Sequence, residues 1–517
     1  MERVASHLDR NEIACTLRRV NKAAAAQFRG PEHTTVRLSQ PVPPHAFAEH
    51  WLAPGSTRGL TYLQRCTLLR LTAASGVVAN LEVAMRATGS ENSGLGFWTA
   101  AVAGKLNVCQ WLLERNSAAA LIGPVGGAIL NDVAYRGHRH MCEWLLSLKV
   151  PWSIVDGASG AASGGHIELM EWLLVRWPQP RLSRSLARLI LAAATGCDLA
   201  TLQRFWRDGG QGLALEDKKQ ALANAIGSLT PDWAAKVEWL EAQGCPRSVK
   251  VAQWAATCRR DAPARLAWMW ARGDILGVAA VRAAAGADNL AALQYLLTEV
   301  GIQPPDNKYH GADTDAAREG HLAAVQALHS AGWPLDAFGD GRLAAQGPHL
   351  SLLAWLVETL GEEAVRLDAS LFKAAAKSGS VELLAWLRER GCEWDAEAYT
   401  CAADAGCVAA LEWLVERGCP MSEGGWPFTA ACRNSDMLTA RCLLRLGFTW
   451  GDGVKAFEGA LAASPLSMIR WMLEEGFPAG KFGKSWVEKC VQYRPASERD
   501  QILRLLEEHR QRVGPGS

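Results

Sequence analysis

The chain repeats one phrase along most of its length. Residues 381–395, VELLAWLRERGCEWD, are followed 27 residues later by 408–422, VAALEWLVERGCPMS. The spacing between successive copies runs from 27 to 35 residues, with a mean of 30. A period of this size is typical of arrays in which each unit packs against its neighbours. The copies centre on Trp111, Trp144, Trp172, Arg204, Trp239, Trp268, Tyr295, Ala327, Trp355, Trp386, Trp413, Cys442 and Trp471.

Length and charge narrow the class further. The 517 residues exceed the roughly 250 to 300 at which one globular core stops growing, and the repeat favours a stack over separate domains. Lys plus Arg number 54 and Asp plus Glu 53, so no strong overall field attracts nucleic acid or an anionic membrane. No run reaches the roughly 18 apolar residues of a spanning helix. We therefore expect no nucleic-acid partner and no membrane association, although the balanced charge counts are compatible with a local charged patch.

The cysteines point to a reducing compartment. The 14 cysteines are spread over the chain and no C-x-x-C pair occurs, which argues against a zinc ribbon or a disulfide framework. Cys245, Cys392 and Cys419 each follow the glycine of a repeat. We expect small, buried, reduced side chains there, since a free cysteine behaves as a small hydrophobe. The expected location is the cytoplasm, with the nucleus as an alternative.

One repeat predicts a helical hairpin. In 157–179, GASGAASGGHIELMEWLLVRWPQ, an alanine-rich stretch ends at Gly164 and Gly165, which accept the backbone conformation of a helix end. An apolar stripe near the 3.6-residue period follows from Ile167. The recurrent tryptophan lies six positions after the turn residue, and we expect it in the core between repeats. Loops such as GCPRS at 244–248 then stop the second helix.

These features resemble ankyrin repeats of a divergent, tryptophan-rich type. The resemblance rests on 132–153, 316–336 and 374–395, where AA, G-H, W-L and G-C-P elements recur in order. It implies an all-α fold, a curved α-solenoid of about 13 to 14 helix-turn-helix repeats over residues 65–480. The Thr-Pro-Leu-His start is missing, and the mean period of 30 is shorter than the usual 33. We therefore expect shortened fingers. A tetratricopeptide array is the main alternative, but it needs a steadier 34-residue period.

The two ends differ from the array. Residues 1–30 resemble an F-box without its usual start, and the alternative is a helical N-terminal segment. The candidate docking residues there are Val4, Leu8, Ile13, Leu17 and Val20. Residues 31–64 are rich in proline and predict a connector. Residues 481–512 predict C-terminal capping helices, as solenoids need a polar-backed end, and 513–517 a disordered tail.

No catalytic constellation emerges. The histidines at 138, 166 and 321 each follow the turn glycine and so belong to the repeat, and no zinc spacing, phosphate loop or nucleophile elbow occurs. We expect no enzyme activity, no metal and no cofactor.

The predicted function is a monomeric, non-catalytic scaffold that binds a partner protein on the concave face of the solenoid, a role that the ankyrin resemblance implies. The alternative is an F-box-type substrate adaptor of a ubiquitin ligase, which docks a Skp-type protein through its N-terminus. Candidate contacts are tryptophans outside the recurrent slot, because tryptophan is favoured in binding hot spots: Trp152, Trp333, Trp394 and Trp450.

Overall fold

Helical hairpins follow one another from residue 62 to the C-terminal helix in the computed structural model. It describes residues 2–90, 93–117, 121–122, 126–148, 150–176, 183–305, 311–421, 424–479 and 482–513. Within these ranges there are fifteen hairpins, here numbered 1 to 15, and no β-strand. The fold is an all-α solenoid. Most of the C-terminal tail expected to be disordered, from residue 514 onward, lies outside the described residues.

Each hairpin has a first and a second helix. The first helices are Tyr62–Ser75, Ser93–Val102, Gly126–Tyr135, Ile154–Ser163, Ser183–Gly196, Leu215–Ile226, Val249–Thr257, Val278–Gly286, Ala312–Glu319, Ala337–Gln346, Ala369–Ser378, Glu397–Ala405, Trp426–Arg433, Val454–Ala463 and Lys484–Val491. The second helices are Val78–Thr88, Leu106–Arg115, Arg139–Ser147, Ile167–Val175, Leu199–Gly209, Trp233–Ala242, Ala262–Ala271, Leu290–Gln294, Leu322–Ser330, Leu350–Leu360, Val381–Glu389, Val408–Glu416, Met437–Arg445, Leu466–Glu474 and Ala496–Val513. The helix that starts at Leu290 continues as the π-helix Tyr295–Glu299.

Shorter helices lie among the described residues as well. Two of them lie within the array, Gly210–Gly212 as a 3-10 turn and Glu362–Val365. The segment before the array carries Glu2–Ala5, Arg10–Cys15, the 3-10 turn Leu17–Arg19, Lys22–Gln27, Pro31–Thr34 and Pro44–Trp51.

The turns are built from the signals that the repeat predicts. Gly379 closes the first helix of hairpin 11 with a φ of 72°, and Gly391 closes its second helix with a φ of 75°. The Cys392 N–H then donates to the Leu387 carbonyl at 3.0 Å, which satisfies a carbonyl left open at the helix end. Hairpin 12 repeats this bond between Cys419 and Leu414 at 3.0 Å.

The first helices pack more closely with one another than the second helices do, so the first helices line the inner side of the curve. Small residues allow this approach. Gly160 on hairpin 4 faces the backbone of hairpin 3, where an added Cβ would lie 2.1 Å from the Asn131 carbonyl oxygen. Alanines occupy many of the remaining contact positions. One continuous apolar core runs from Val42 to Leu506, so the C-terminal hairpin belongs to the stack.

The recurrent tryptophans are partly buried against this core. Arginines four residues later, at the end of the second helices or directly after it, place their guanidinium groups over several of these rings, 3.9 to 5.7 Å from the ring centres. The guanidinium covers the solvent side of an indole whose other side packs in the core. The pairs are Trp111 with Arg115, Trp172 with Arg176, Trp268 with Arg272, Trp386 with Arg390 and Trp413 with Arg417.

The array also returns on itself. The Ala409 N–H of hairpin 12 donates to the Arg58 carbonyl just before hairpin 1, at 3.0 Å. A Cβ on Gly406 would lie 2.8 Å from the Cβ of Tyr62. Hairpin 1 therefore contacts both hairpin 2 and a part of the chain about 350 residues later.

The close approach of the first helices predicts the effect of Gly160→Ala. The added methyl group would collide with backbone, which has little room to move, so we expect a loss of about 2 to 4 kcal/mol of stability despite the better helix propensity of alanine. Thermal unfolding followed by circular dichroism measures the loss. Gly212→Ala is the control, because nothing lies within 4 Å of a Cβ there. Equal melting temperatures for wild type and Gly160→Ala would contradict this packing.

Candidate functional site

One position in the first helices is left uncovered in hairpin after hairpin. Counting from this position, the second and third residues along the chain form a buried pair. The seventh residue is the N-cap of the second helix. Alanine dominates that pair, as at Ala375 and Ala376, because it sits where neighbouring first helices meet. The uncovered position has no such requirement. We name the twelve residues at it the inner row: Arg70, Trp98, Asn131, Ser159, Leu191, Arg282, Thr314, Arg342, Lys373, Thr400, Thr429 and Glu458.

The inner row is chemically varied. It contains cations, an anion, an aromatic ring, an aliphatic side chain, hydroxyls and an amide, and all its members are exposed or half-buried. Because first helices line the concave side, the row follows the inside of the curve. Adjacent packed helices lie roughly 8 to 10 Å apart, so the row offers one side chain at each such step in hairpins 1 to 5 and again in hairpins 8 to 14.

Ion pairs cross from one first helix to the next beside this row. Arg282 bonds Asp315 at 2.7 Å, Lys373 bonds Glu397 at 2.7 Å, and Trp98 donates its indole N–H to Asp132 at 3.2 Å. Further pairs join Arg188 to Asp156, Lys250 to Glu216 and Arg433 to Asp404. Carboxylates thus neutralise much of the positive charge on the concave face.

A second feature lies where the array returns on itself. A cavity of about 600 Å³, here called the closure cavity, opens between the segment 51–58, hairpin 1 and hairpins 12 and 13. Its charged lining is one carboxylate, that of Glu412, and five arginines. The arginines are Arg58, Arg65, Arg86, Arg441 and Arg445.

Two buried or bridging interactions hold the closure together. Glu412 accepts from both Arg58 and Arg445, so one carboxylate joins the two sides. Arg65 pairs with Asp436, and each side chain is only 3% exposed. Arg65 also donates to the Gly406 carbonyl at 2.8 Å. Asp436 caps the second helix of hairpin 13 and accepts from the Thr439 hydroxyl at 2.6 Å.

Further buried charged groups lie in the stack, away from the inner row and the closure cavity, and Lys236 and Asp340 are two of them. Lys236 donates to the carbonyls of Ala194 and Cys197 and to the Ser228 hydroxyl, at 2.7 to 3.0 Å, and burial lowers its pKa to about 8. It joins hairpins 5 and 6. Asp340 of hairpin 10 is 1% exposed.

Burial, and then the neighbouring Asp313 and Asp336, raise the pKa of Asp340 to about 9. This carboxyl is therefore neutral at neutral pH.

The cysteines after the repeat glycines are buried as expected, at 4%, 0% and 4% exposure for Cys245, Cys392 and Cys419. Burial raises the pKa of these thiols to between about 11 and about 12. Cys392 and Cys419 lie 3.3 and 3.5 Å from the carbonyls of Asp368 and Asp395. The slot therefore holds protonated thiols that pack against the preceding loop.

The four tryptophans predicted as partner contacts lie in loops against the core, and none belongs to the inner row. Trp333 is 2% exposed, and Trp152 is half-buried. Trp394 packs edge-on to Phe372 and Trp413. Trp450 lies 4.1 Å from the Phe428 ring centre and also touches Trp471 and Phe477. Partner contact through these residues stays a prediction.

The N-terminal residues form a small core of their own. Ile13 and Leu17 are buried with Phe28, and Leu8 packs against them. Val4 and Val20 are 54% and 65% exposed. The five residues are thus divided between this cluster and the surface, and docking through them stays a prediction.

No family model matches the chain. No curated protein matches it either. The ankyrin and F-box resemblances therefore remain predictions, and the coarser statement of a helical repeat protein holds.

Solved structures give a loose likeness. One is the pentatricopeptide repeat protein PPR10 in complex with an 18-nt psaJ RNA element, at 11% identity and a TM-score of 0.24, with 96% of this chain and 88% of that chain covered. A cysteine-to-serine variant of the same protein in complex with the same RNA gives the same values. At such values the likeness does not extend beyond helical repeats.

The expectation of no nucleic-acid partner is wrong as a general exclusion. It is contradicted by these matched helical repeat proteins, which are both in complex with RNA. The balanced total charge could not support it, because a sum over the whole surface does not report how charges are distributed. The closure cavity, with five arginines and one carboxylate in its lining, is a local excess that the totals conceal.

In the part of the chain that the structure describes, every helix is too short or too polar to span a bilayer.

The closure predicts the effect of Arg65→Ala. The substitution leaves Asp436 buried without its cation, which typically costs about 3 to 5 kcal/mol. We expect faster hydrogen exchange in residues 61–75 and 406–416, and a larger radius of gyration in solution scattering. The exposed Arg70 on the same helix supplies the control, Arg70→Ala. Unchanged exchange in both segments would show that the contact does not hold the array closed.

The raised pKa of Asp340 predicts a pH-dependent stability. The folded state holds this proton more tightly than the unfolded chain, so the contribution is present near pH 4 and is lost as pH rises towards and through about 9. Asp340→Asn removes the dependence. We expect it to exceed wild type in stability by an amount that grows by about 1 kcal/mol for each pH unit between pH 5 and pH 8, as measured by urea unfolding from pH 5 to 9. The control is Asp500→Asn at an exposed site, whose free energy of unfolding should follow that of wild type at each pH. If the free energy of unfolding of Asp340→Asn also follows wild type at each pH, Asp340 is ionised in the folded state and the prediction is wrong.

Proposed function

We propose that this chain is a non-catalytic scaffold that binds an extended segment of a partner protein along the inner row. The observation that carries the proposal is the row itself, twelve residues of eight types at one structural position in front of a nearly invariant buried pair. Packing explains the pair. It does not explain the variety in front of it, which is what the recognition of a chain of varied side chains would use.

The spacing suits an extended polypeptide. Within hairpins 1 to 5, and again within hairpins 8 to 14, a row residue recurs at each helix-to-helix step of roughly 8 to 10 Å, and an extended chain rises roughly 3.3 to 3.6 Å per residue. One row side chain would therefore meet about every third residue of the partner. Arg70, Arg342 and Glu458 offer charge complementarity, while Trp98 and Leu191 offer apolar contact.

A protein segment fits the row better than a nucleic acid strand. A polyanion is bound by a continuous positive path, whereas row cations such as Arg282 and Lys373 are already paired with carboxylates of the next hairpin. Asp132 and Asp156 lie beside the row in hairpins 3 and 4. Carboxylates beside the row therefore interrupt any continuous positive path along it.

Charge reversal at two row positions tests the proposal. Arg70→Glu with Arg342→Glu changes two exposed arginines that have no carboxylate ion pair among the described residues. Cross-linking with tagged protein in cells should show captured proteins whose enrichment falls about tenfold or more, because a single lost charged contact is already worth roughly a factor of ten. Ribonuclease treatment should not release them.

The matched control reverses the same charge on the second helices. Arg207 and Arg470 are exposed there, and their side chains also make no carboxylate ion pair within the described ranges. Arg207→Glu with Arg470→Glu should retain the captured proteins. Equal losses in both double variants would overturn the assignment to the row. Capture of single-stranded RNA through the row, in place of protein, would overturn the assignment of the partner.

A further inference from the structure

The closure cavity is a binding site separate from the inner row. No row residue lines it, and its walls come from three parts of the chain that are distant in sequence. We propose that it binds a small anion carrying several phosphate groups, and that this ligand ties hairpin 1 to hairpins 12 and 13.

The charge of the lining supports an anion. Arg58 and Arg445 share Glu412, and Arg65 is matched by Asp436. The side chains of Arg86 and Arg441 are exposed and make no hydrogen bond or ion pair with any residue that the structure describes. The cavity therefore keeps guanidinium groups whose donors are free for a ligand. Guanidinium groups bind phosphate oxygens in pairs of parallel hydrogen bonds.

The placement of the two free arginines gives the ligand a structural role. Arg86 lies in the last turn of the second helix of hairpin 1, and Arg441 lies in the second helix of hairpin 13. These helices are neighbours only because the array returns on itself. Without a ligand the two cations repel each other across the cavity, and an anion between them converts that repulsion into attraction. Binding and closure are therefore coupled.

The dimensions indicate a small ligand. A volume of about 600 Å³ falls within the roughly 300 to 1,000 Å³ of small-molecule sites. The segment 51–58 forms one wall and is fixed by its own bonds. The Ser56 hydroxyl donates to the Trp51 carbonyl at 2.7 Å, and the Thr57 hydroxyl donates to the Ala87 carbonyl at 3.2 Å. Several phosphates on one compact molecule would meet Arg86 and Arg441 together.

Titration calorimetry with sodium tripolyphosphate at fixed ionic strength tests the site on the full chain. We expect saturable binding to wild type, and Kd about tenfold or more weaker for Arg86→Ala with Arg441→Ala. Arg207→Ala with Arg470→Ala removes two exposed arginines outside both the row and the cavity and should bind as wild type. Saturating tripolyphosphate should also slow hydrogen exchange in residues 51–60 and 437–445 of wild type, and not in the Arg86/Arg441 variant.

The remaining outcomes count against the site. Absence of binding to wild type at millimolar tripolyphosphate, or equal affinity of both double variants, overturns it. Equal binding of citrate overturns the choice of phosphate. A 12-nt RNA that binds through Arg86 and Arg441 more tightly than tripolyphosphate assigns the phosphates to a nucleic acid and overturns the small ligand. No row residue lines the cavity, so absence of anion binding would leave the proposed binding along the inner row unaffected. In the same way, failure of the row variants to lose partner proteins would leave the anion site unaffected.

Discussion

Close contact between neighbouring first helices is the constraint on which the structure depends. A hairpin this short cannot bury its own apolar stripe, so it is stable only against its neighbours. The contact requires small residues at fixed positions, such as Gly160 against the Asn131 backbone and the buried pair Ala375 and Ala376. Since the second helices are bulkier and lie farther apart, the stack curves with the first helices inside. Close packing of the first helices through small residues thus causes the curvature and also places the inner row on the concave side.

The return of the array on itself is the accumulated result of that curvature. Each step adds a small rotation, and after eleven or twelve steps hairpin 1 lies against hairpins 12 and 13. The chain stabilises the contact with a buried ion pair between Arg65 and Asp436 and with a carboxylate shared by two arginines. Charges brought together in this way can bind what neither part of the chain would bind alone.

The sequence pattern predicts what depends on local and neighbouring residues. Glycine and cysteine signals locate the helix ends around Gly391 and Cys392, and the 30-residue period gives the stack. The inner row was missed although its signal is present, because it emerges only when the repeats are aligned on the residue that caps the second helix. The closure cavity has no such signal. Arg58 and Glu412 are 354 residues apart, and their meeting depends on rotations summed over the intervening hairpins. Trp333 shows a different failure, because a residue outside the repeated slot can still be packed in the core, at 2% exposure.

The contact between Arg58 and Ala409 has a topological consequence. An extended partner bound along the row from hairpin 1 to hairpin 13 would lie inside a ring of polypeptide formed by these hairpins. A free chain end can be threaded through such a ring, whereas a segment flanked by folded domains on both sides enters only when the ring opens. The rates at which such a partner enters and leaves are then governed by how long the contact between hairpin 1 and hairpins 12 and 13 stays closed, and not by the strength of the contacts along the row.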